Sequence, residues 1–492
     1  MSNINYSRKL NITVKHDAFQ YQQQAFEALK DLCYSAIFHE QGLGKTKIAI
    51  DLMLYWLEKR SIDTVMIVTK KQLISNWINE FSEHTFLKPK VLSQDRSENF
   101  FVFNSSARIV VCNFELISSE KERIKIYLKT RNVAIIIDES TKIKNPDSKL
   151  TKDFFEVSLL FKIKTIMTGT PIANRPYDMW AQIYFLDYGK SLGTDFEQFK
   201  KNTDLTNDLA NNDYKRELFE NTVSSIFNKI KSFSVRETKS NGIISLPNKK
   251  YHNILVNFEP VQEKMYNKIK DDMAILIQKG DETLLDENDA TLKRLLRLNE
   301  VTSNPRLIDD LYGYISGKEF MLIDLLKEII NRGEKVIVWS NYIDNVEYFN
   351  KKFSEYNPVK IHGRMKIDDR NRSVSTFKTC PECKILFATP QSAKEGLTLT
   401  VANNVIFYDR GLNLDDYLQA QDRIHRISQK KDCNIYNIMI KDSIDTWIDL
   451  LLQAKQNAAF LAQGDYKLAK YELVSNYDFG LMVRRILRLE EE

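Results

Sequence analysis

Two stretches of this sequence carry residue types and spacings that can do phosphate chemistry. His39-Glu-Gln-Gly-Leu-Gly-Lys-Thr46 follows the apolar stretch Ala36–Phe38 and opens a helical pattern, K-I-A-I-D-L-M-L-Y-W-L. A strand, loop and helix of this kind suit a phosphate: Gly42 and Gly44, flanking Leu43, let backbone N–H groups approach it, and the helix N-terminus adds positive potential. Lys45 is then placed to neutralise the β- and γ-phosphates, and the Thr46 hydroxyl to hold Mg²⁺. The strict pattern G-x-x-x-x-G-K-[ST] is not met, because His39 stands at its first glycine. Alone, the stretch also reads as a helix N-terminus with a glycine turn. The second stretch, Ile135-Ile-Ile-Asp138-Glu139, sets two carboxylates directly after a buried run. There Asp138 can bind Mg²⁺ and Glu139 can polarise an attacking water, although acidic residues at that place also cap helices. In this order, each at the end of a strand, the two stretches together point to nucleotide hydrolysis.

The elements that must position these residues follow a repeating pattern. Short β-branched runs alternate with amphipathic stretches: Thr64–Thr69, Arg108–Cys112, Val133–Asp138 and Thr165–Thr168. A second series runs through Lys335–Ser340, Lys384–Thr389, Asn404–Asp409 and Asn434–Ile440. Continuous apolar strands separated by helices indicate parallel sheets covered on both faces, and two series indicate two α/β lobes. The expected division is a first lobe over 1–176, a mainly helical insertion and linker over 177–317 that returns to the first lobe near 230–250, a second lobe over 318–445, and a helical tail over 446–492.

Composition narrows the classes. The chain has 492 residues, 43% hydrophobic and 28% charged, which excludes a disulfide-stapled miniprotein and a disordered chain. A net charge of +5 permits a nucleic-acid partner without establishing one. Five scattered cysteines give no disulfide framework and suit a reducing compartment. No apolar run approaches membrane-spanning length and the start lacks a signal peptide's hydrophobic stretch, so a cytoplasmic protein with no membrane association is expected. Cys380-Pro-Glu-Cys383 has the spacing of half a zinc site, but no second pair accompanies it, and Pro381 suits a turn.

An ordered series of motifs from Phe19 to Trp447 resembles the Swi/Snf-type ATPases of helicase superfamily two, in the compact motor-only form of phage or bacterial members. Phe19-Gln-Tyr-Gln22 is similar to the adenine-side glutamine motif, and H-E-Q-G-L-G-K-T to the family's phosphate loop, whose first glycine is normally replaced. V-T-K-K-Q-L-I-S-N-W-I-N-E-F, with Trp77 and Glu80, matches the motif after the second strand. D-E-S-T resembles the D-E-A-H box, with Ser140 and Thr141 in place of the usual Ala and His. M-T-G-T-P-I-A-N resembles the motif that links ATP state to lobe movement. S-V-R-E-T-K at Ser234–Lys239 and Ser316-Gly-Lys318 resemble the exit from the first lobe and the entry to the second. W-S-N-Y, I-H-G with Arg370, A-T-P-Q-S-A-K-E-G-L-T-L and Q-A-Q-D-R-I-H-R-I-S-Q match the second-lobe motifs.

The resemblance implies an α/β fold of two RecA-like parallel-sheet lobes, with helical insertions between them and a helical C-terminal tail. It implies a nucleic-acid-stimulated ATPase that uses ATP and Mg²⁺. Gln22, Gly396 and Gln419 would contact the nucleotide, and Thr141, Thr168, Gly169 and Thr170 would couple its state to movement. Arg423 and Arg426, three apart and so on one side of a helix, would act as arginine fingers reaching a γ-phosphate held by the opposite lobe. The resemblance, with amides and hydroxyls available at strand ends, assigns nucleic-acid contacts to Thr69, Lys70, Lys71, Ser340, Asn341, Thr389 and Lys394. The implied activity is ATP-driven, largely sequence-independent translocation on duplex or branched DNA that remodels DNA or DNA–protein complexes in replication, recombination or repair, including branch migration. The implied setting is a prokaryotic or phage-infected cytoplasm. Two other readings stay open: a strand-separating DNA or RNA helicase, and an ATP-gated nucleic-acid scaffold without productive movement.

Overall fold

The structure, a computed structural model, describes residues 12–60, 62–172, 177–203, 213–239, 246–278, 289–394, 397–426 and 428–463, with 465, 468–470, 473, 483 and 486 beyond them. Two compact units emerge, residues 1–204 with 222–244, and residues 205–221 with 245–492.

The first unit is built on seven strands: β1 (Tyr34–Ile37), β2 (Thr64–Thr69), β3 (Lys90–Val91), β4 (Ile109–Asn113), β5 (Val133–Asp138), β6 (Ile163–Met167) and β7 (Ser234–Val235). They lie in the order β3-β4-β2-β5-β6-β1-β7, and the pairings among them are parallel. β2, β4, β5 and β6 are buried at every position, as a sheet covered by helices on both faces requires. The helix Lys45–Lys59 buries Ile48, Leu52 and Trp56 along one stripe and Ala49 and Met53 beside it, four residues apart in each row. These side chains join Trp77, Phe81, Val65 and Ile67 in one apolar cluster.

The second unit carries β8 (Lys249–Val256), β9 (Val336–Trp339), β10 (Val359–Ile361), β11 (Ile385–Ala388), β12 (Asn404–Phe407) and β13 (Cys433–Ile440), in the order β10-β11-β9-β12-β13-β8, again parallel. Alternate residues of the same strands enter opposite clusters. Ile337, Trp339, Leu386, Ala388, Val405 and Phe407 face one, and Val336, Val338, Ile385, Phe387, Ile406 and Tyr408 the other. That two-sided burial is why these strands read as unbroken apolar runs.

β8 was not among the expected strands and lies within the stretch read as mainly helical. Among the described residues it pairs only with β13, from Lys249↔Cys433 to Val256↔Ile440, and half of its positions are exposed. An edge strand of that kind has no continuous apolar signature. Around it the helices Pro260–Gln278 and Asp289–Ser303 do fill the stretch. Lys318, fully buried at the start of helix Gly317–Asn331, pairs with Asp445 at 2.7 Å. Asp445 also accepts bonds from the Thr302 hydroxyl and the Ile440 N–H, so the cluster joins four elements of the unit. The tail begins with helix Ile444–Ala462, whose cap is the Ser443 hydroxyl; the final L-M-V-R-R-I-L-R-L-E-E-E lies outside the described residues except for Val483 and Ile486. Among the described residues no helix is long and apolar enough to cross a membrane.

Candidate nucleotide site

In the first sheet β2, β5, β6 and β1 are neighbours, so the segments that follow them meet at one edge, where open parallel sheets bind ligands. The segment after β1 is the glycine loop. Gly42 and Gly44 take φ of +85° and +69°, a left-handed region open to glycine, and Gly44 is the N-cap of helix Lys45–Lys59 with no side chain capping it. The helix therefore starts with N–H groups directed at its own loop. A Cβ on Gly44 would lie 2.2 Å from Gln22 Nε2. Gln22 is thus packed on the loop: its Nε2 donates to the Leu43 carbonyl at 3.3 Å, the Tyr21 hydroxyl donates to the same oxygen at 3.0 Å, and Gln22 Oε1 accepts the Phe19 N–H.

Lys45 is buried and donates to the His39 and Glu40 carbonyls at 3.0 and 3.4 Å. Burial pulls its ammonium below the usual range, while Glu139 and Asp138 act in the opposite sense. Asp138, at the end of β5, is pushed up to about 6 by burial and then by Glu139. Its Oδ2 accepts the Trp77 indole N–H at 2.9 Å and the Thr69 hydroxyl at 3.2 Å. Glu139 adopts φ +56°, and its Oε1 accepts Gln41 Nε2 at 3.4 Å. Its Oε2 is buried without a hydrogen bond, 3.9 Å from Lys70 Nζ. After β6, the Thr170 N–H bonds the Thr168 hydroxyl, and Gly169 comes so close to the loop that a Cβ there would lie 2.9 Å from Gln41 Cγ and 3.2 Å from Lys45 Nζ.

These residues fit a Mg²⁺-bound triphosphate. A cradle only glycine can form, a buried lysine and a buried carboxylate oxygen without a hydrogen bond face the same edge. Among the described residues no cluster of three or more His, Cys, Asp or Glu could hold a metal ion alone. Thr46 and Asp138 would therefore share Mg²⁺ with phosphate oxygens, the usual arrangement for this cation.

Three residues have parts here other than any assigned to them from the sequence. Trp77 and Thr69 orient Asp138, so Thr69, expected at a nucleic-acid contact, is instead fully buried with its hydroxyl on Asp138. Gln182 is the third. The Ser140 hydroxyl donates to its Oε1 at 2.7 Å, and its Nε2 donates to the Pro171 and Asp178 carbonyls at 2.8 and 2.9 Å. A lone amide in the apolar run M-W-A-Q-I-Y-F-L was the available signal, since a buried amide needs partners. Thr141 is half-buried, and its hydroxyl makes no hydrogen bond among the described residues. Lys71 is exposed at the start of a short helical turn, Lys71–Leu73.

In the second unit the Ser340 hydroxyl and the Asn341 N–H groups are turned to Asp409. The Ser340 hydroxyl donates to Asp409 Oδ2 at 2.5 Å, and the Asn341 backbone and side-chain N–H groups donate to Oδ1 at 2.7 and 2.9 Å. Thr389 bonds the Ser392 hydroxyl. Gly396 lies outside the described residues, as does the side chain of Lys394. Gln419 is buried and bonds Asp415. The helix expected to carry Arg423 and Arg426 ends at Gln421, and both arginines sit in the turns beyond it. Past Gln421 the bonding tightens to i,i+3 turns, with the Arg423 and Ile424 N–H groups on the Ala420 and Gln421 carbonyls at 3.4 and 3.3 Å, and beyond them the Leu399 N–H takes the Arg423 carbonyl and Gln429 Nε2 that of Ile424. Arg423 is buried, and Arg426 Nη1 donates to the Thr398 hydroxyl at 2.8 Å. Cys380 and Cys383 occupy the bend between helix Ile367–Thr379 and β11, with Cys383 buried.

Comparison with known proteins agrees with this arrangement. The family model of the SNF2-related domain matches residues 21–307, and that of the helicase conserved C-terminal domain matches residues 318–428. An uncharacterized ATP-dependent helicase of Mycoplasma pneumoniae is 27% identical over 488 residues, 96% of this chain and 44% of the relative. The ISWI chromatin-remodeling complex ATPase ISW1 of Saccharomyces cerevisiae is 26% identical over 431 residues, 82% of this chain and 36% of the relative. The chain thus spans less than half the length of these curated relatives. A solved Sulfolobus solfataricus SWI2/SNF2 ATPase core in complex with dsDNA covers 95% of this chain and 98% of its own, at 24% identity and TM-score 0.43. With two parallel-sheet lobes, the phosphate loop and the D-E pair in their places, and a domain model spanning more than half its length, this chain belongs to the family of SNF2-related ATPases.

Proposed function

We propose that the protein hydrolyses ATP to drive translocation on duplex or branched DNA, and so remodels DNA or DNA–protein complexes in replication, recombination or repair. The observation that carries the ATPase reading is the carboxylate pair: Asp138 fixed by Trp77 and Thr69, beside Glu139 with a buried oxygen that has no hydrogen bond. Mg²⁺, when bound, neutralises charge on the phosphates. Lys45 holds the β- and γ-phosphates, and the loop N–H groups beside Gly42 and Gly44 bind their oxygens. Glu139 orients the attacking water and accepts its proton, with Gln41 steadying the other carboxylate oxygen. Arg423 and Arg426 keep the arginine-finger role implied by resemblance.

Family membership and the names of the relatives, an ATP-dependent helicase and a chromatin-remodeling ATPase, support movement on DNA. Of the first-unit residues expected at a phosphate backbone, Lys71 is exposed and Lys70 lies 3.9 Å from Glu139 Oε2; the reading carries a steep salt dependence and weak base preference. A prokaryotic or phage-infected cytoplasm is the setting we favour. The test is steady-state ATP hydrolysis without nucleic acid and with single-stranded DNA, duplex DNA, a four-way junction and RNA. Stimulation by duplex or junction DNA is expected; equal rates under all conditions would overturn the motor reading.

A further inference from the structure

We propose that Gln182 is a positioning residue that ties the turn carrying Glu139 to the loop after β6, so that the two move together when nucleotide binds. The inference rests on the nucleotide-motor reading above. Ser140 and Gln182 are fully buried, and the amide spends its acceptor on Ser140 and both donors on Pro171 and Asp178. The rest of helix Asp178–Asp187 is largely apolar and buried, so this amide persists there only with its partners. A second tether runs parallel to it, from Lys144 Nζ to Asp178 Oδ2 at 3.0 Å.

The bridge closes a circuit. Gly169 lies against Gln41 and Lys45, Pro171 follows two residues later, Gln182 joins Pro171 to Ser140, and Ser140 adjoins Glu139, which Gln41 contacts in turn. Glu139 holds positive φ, a conformation that persists only where its surroundings determine it. A shift of Lys45 or Glu139 on meeting phosphate therefore displaces the Thr168–Ile172 loop through buried bonds of 2.7 to 2.9 Å, whose directional geometry leaves little slack. Gln182 touches no substrate in this scheme; it transmits position.

The test is amide hydrogen exchange over residues 168–172 and 178–187, with and without a slowly hydrolysed ATP analogue, in the wild type, Ser140→Ala and the double variant Ser140→Ala/Gln182→Met. The double variant removes both bridging groups and leaves no buried amide unpaired. Nucleotide is expected to slow exchange in the wild type by about fivefold or more, and to leave the double variant unchanged at equal nucleotide affinity. If the double variant does not fold, Ser140→Ala alone decides by the same criterion. Retained slowing in the variants, or none in the wild type, overturns the proposal. A second readout is the ratio of DNA-stimulated to basal turnover, expected to fall about tenfold in the double variant with KM for ATP unchanged. The exchange measurement needs no DNA, so a wild type without DNA stimulation would sink the motor reading and still leave the bridge to be judged.

Discussion

Replacing Trp77 with phenylalanine keeps an aromatic ring against Phe81, 6.0 Å away between centroids, and removes one hydrogen bond, from the indole N–H to Asp138 Oδ2 at 2.9 Å. A bond to a buried charged group is worth about 1.5–3 kcal/mol, and about 1.4 kcal/mol shifts a pKa by one unit. Burial and Glu139 already raise the Asp138 carboxyl to about 6, against the pull of Trp77 and Thr69. Losing Trp77's share raises it further, by about one to two units. The ionised fraction at pH 7 then falls, and the carboxylate recovers at higher pH. Because kcat/KM reports the free enzyme, the acid limb of its pH profile for ATP should move up by about one to two units in Trp77→Phe, with the rate at pH 9 close to wild type. Thr69→Val, which removes the longer bond, should move it in the same direction and less. A loss of activity equal at every pH, with the limb unmoved, would refute the argument that Trp77 acts through the Asp138 charge.

Gly44→Ala places a methyl 2.2 Å from Gln22 Nε2 at φ +69°, so binding of a fluorescent ATP analogue should weaken by about tenfold or more, with little change in Tm. Lys318→Met leaves Asp445 buried and uncompensated and should cost about 3–5 kcal/mol in urea unfolding, whereas adding Asp445→Asn should recover part of that loss. His39 is pushed down to about 4 by burial and by Lys45. The unfolded chain takes up that proton near pH 6.5, so the contribution of neutral His39 is complete above pH 6.5 and lost as pH falls toward 4. Urea unfolding of His39→Gln against wild type should show that about 2 kcal/mol of the loss between pH 7 and pH 5 disappears in the variant.

The strands buried on both faces were legible because burial leaves an unbroken apolar run: β2 and β5 occupy the residues read from Thr64–Thr69 and Val133–Asp138. β8 was not, since an edge strand with half its side chains exposed carries no such run. The phosphate loop was legible because its chemistry is local: glycine, lysine and hydroxyl follow one another in the chain. Groups that act across the sheet edge left weaker marks. Thr69 looked like a surface hydroxyl at a strand end, yet β2 and β5 are paired neighbours, and that pairing brings its hydroxyl to Asp138. Ser340 and Asn341 were read the same way, and Asp409, after the neighbouring β12, captures both. Arg423 and Arg426 have helical spacing, but the helix stops at Gln421 and gives way to i,i+3 turns, with the Arg423 carbonyl held by the Leu399 N–H. For Thr69, Ser340 and Asn341 the deciding partner lies on another strand or loop, and spacing along one segment carries no record of it.

The central claim, that hydrolysis at Asp138–Glu139 drives movement along duplex DNA, is tested most directly by displacement of a third strand from a DNA triplex. The wild type is expected to strip the third strand with ATP and to fail with a non-hydrolysable analogue, and Glu139→Gln is expected to bind ATP and DNA yet leave the triplex intact. Displacement by Glu139→Gln at the wild-type rate, or a wild type that hydrolyses ATP on DNA without displacing the strand, would contradict it.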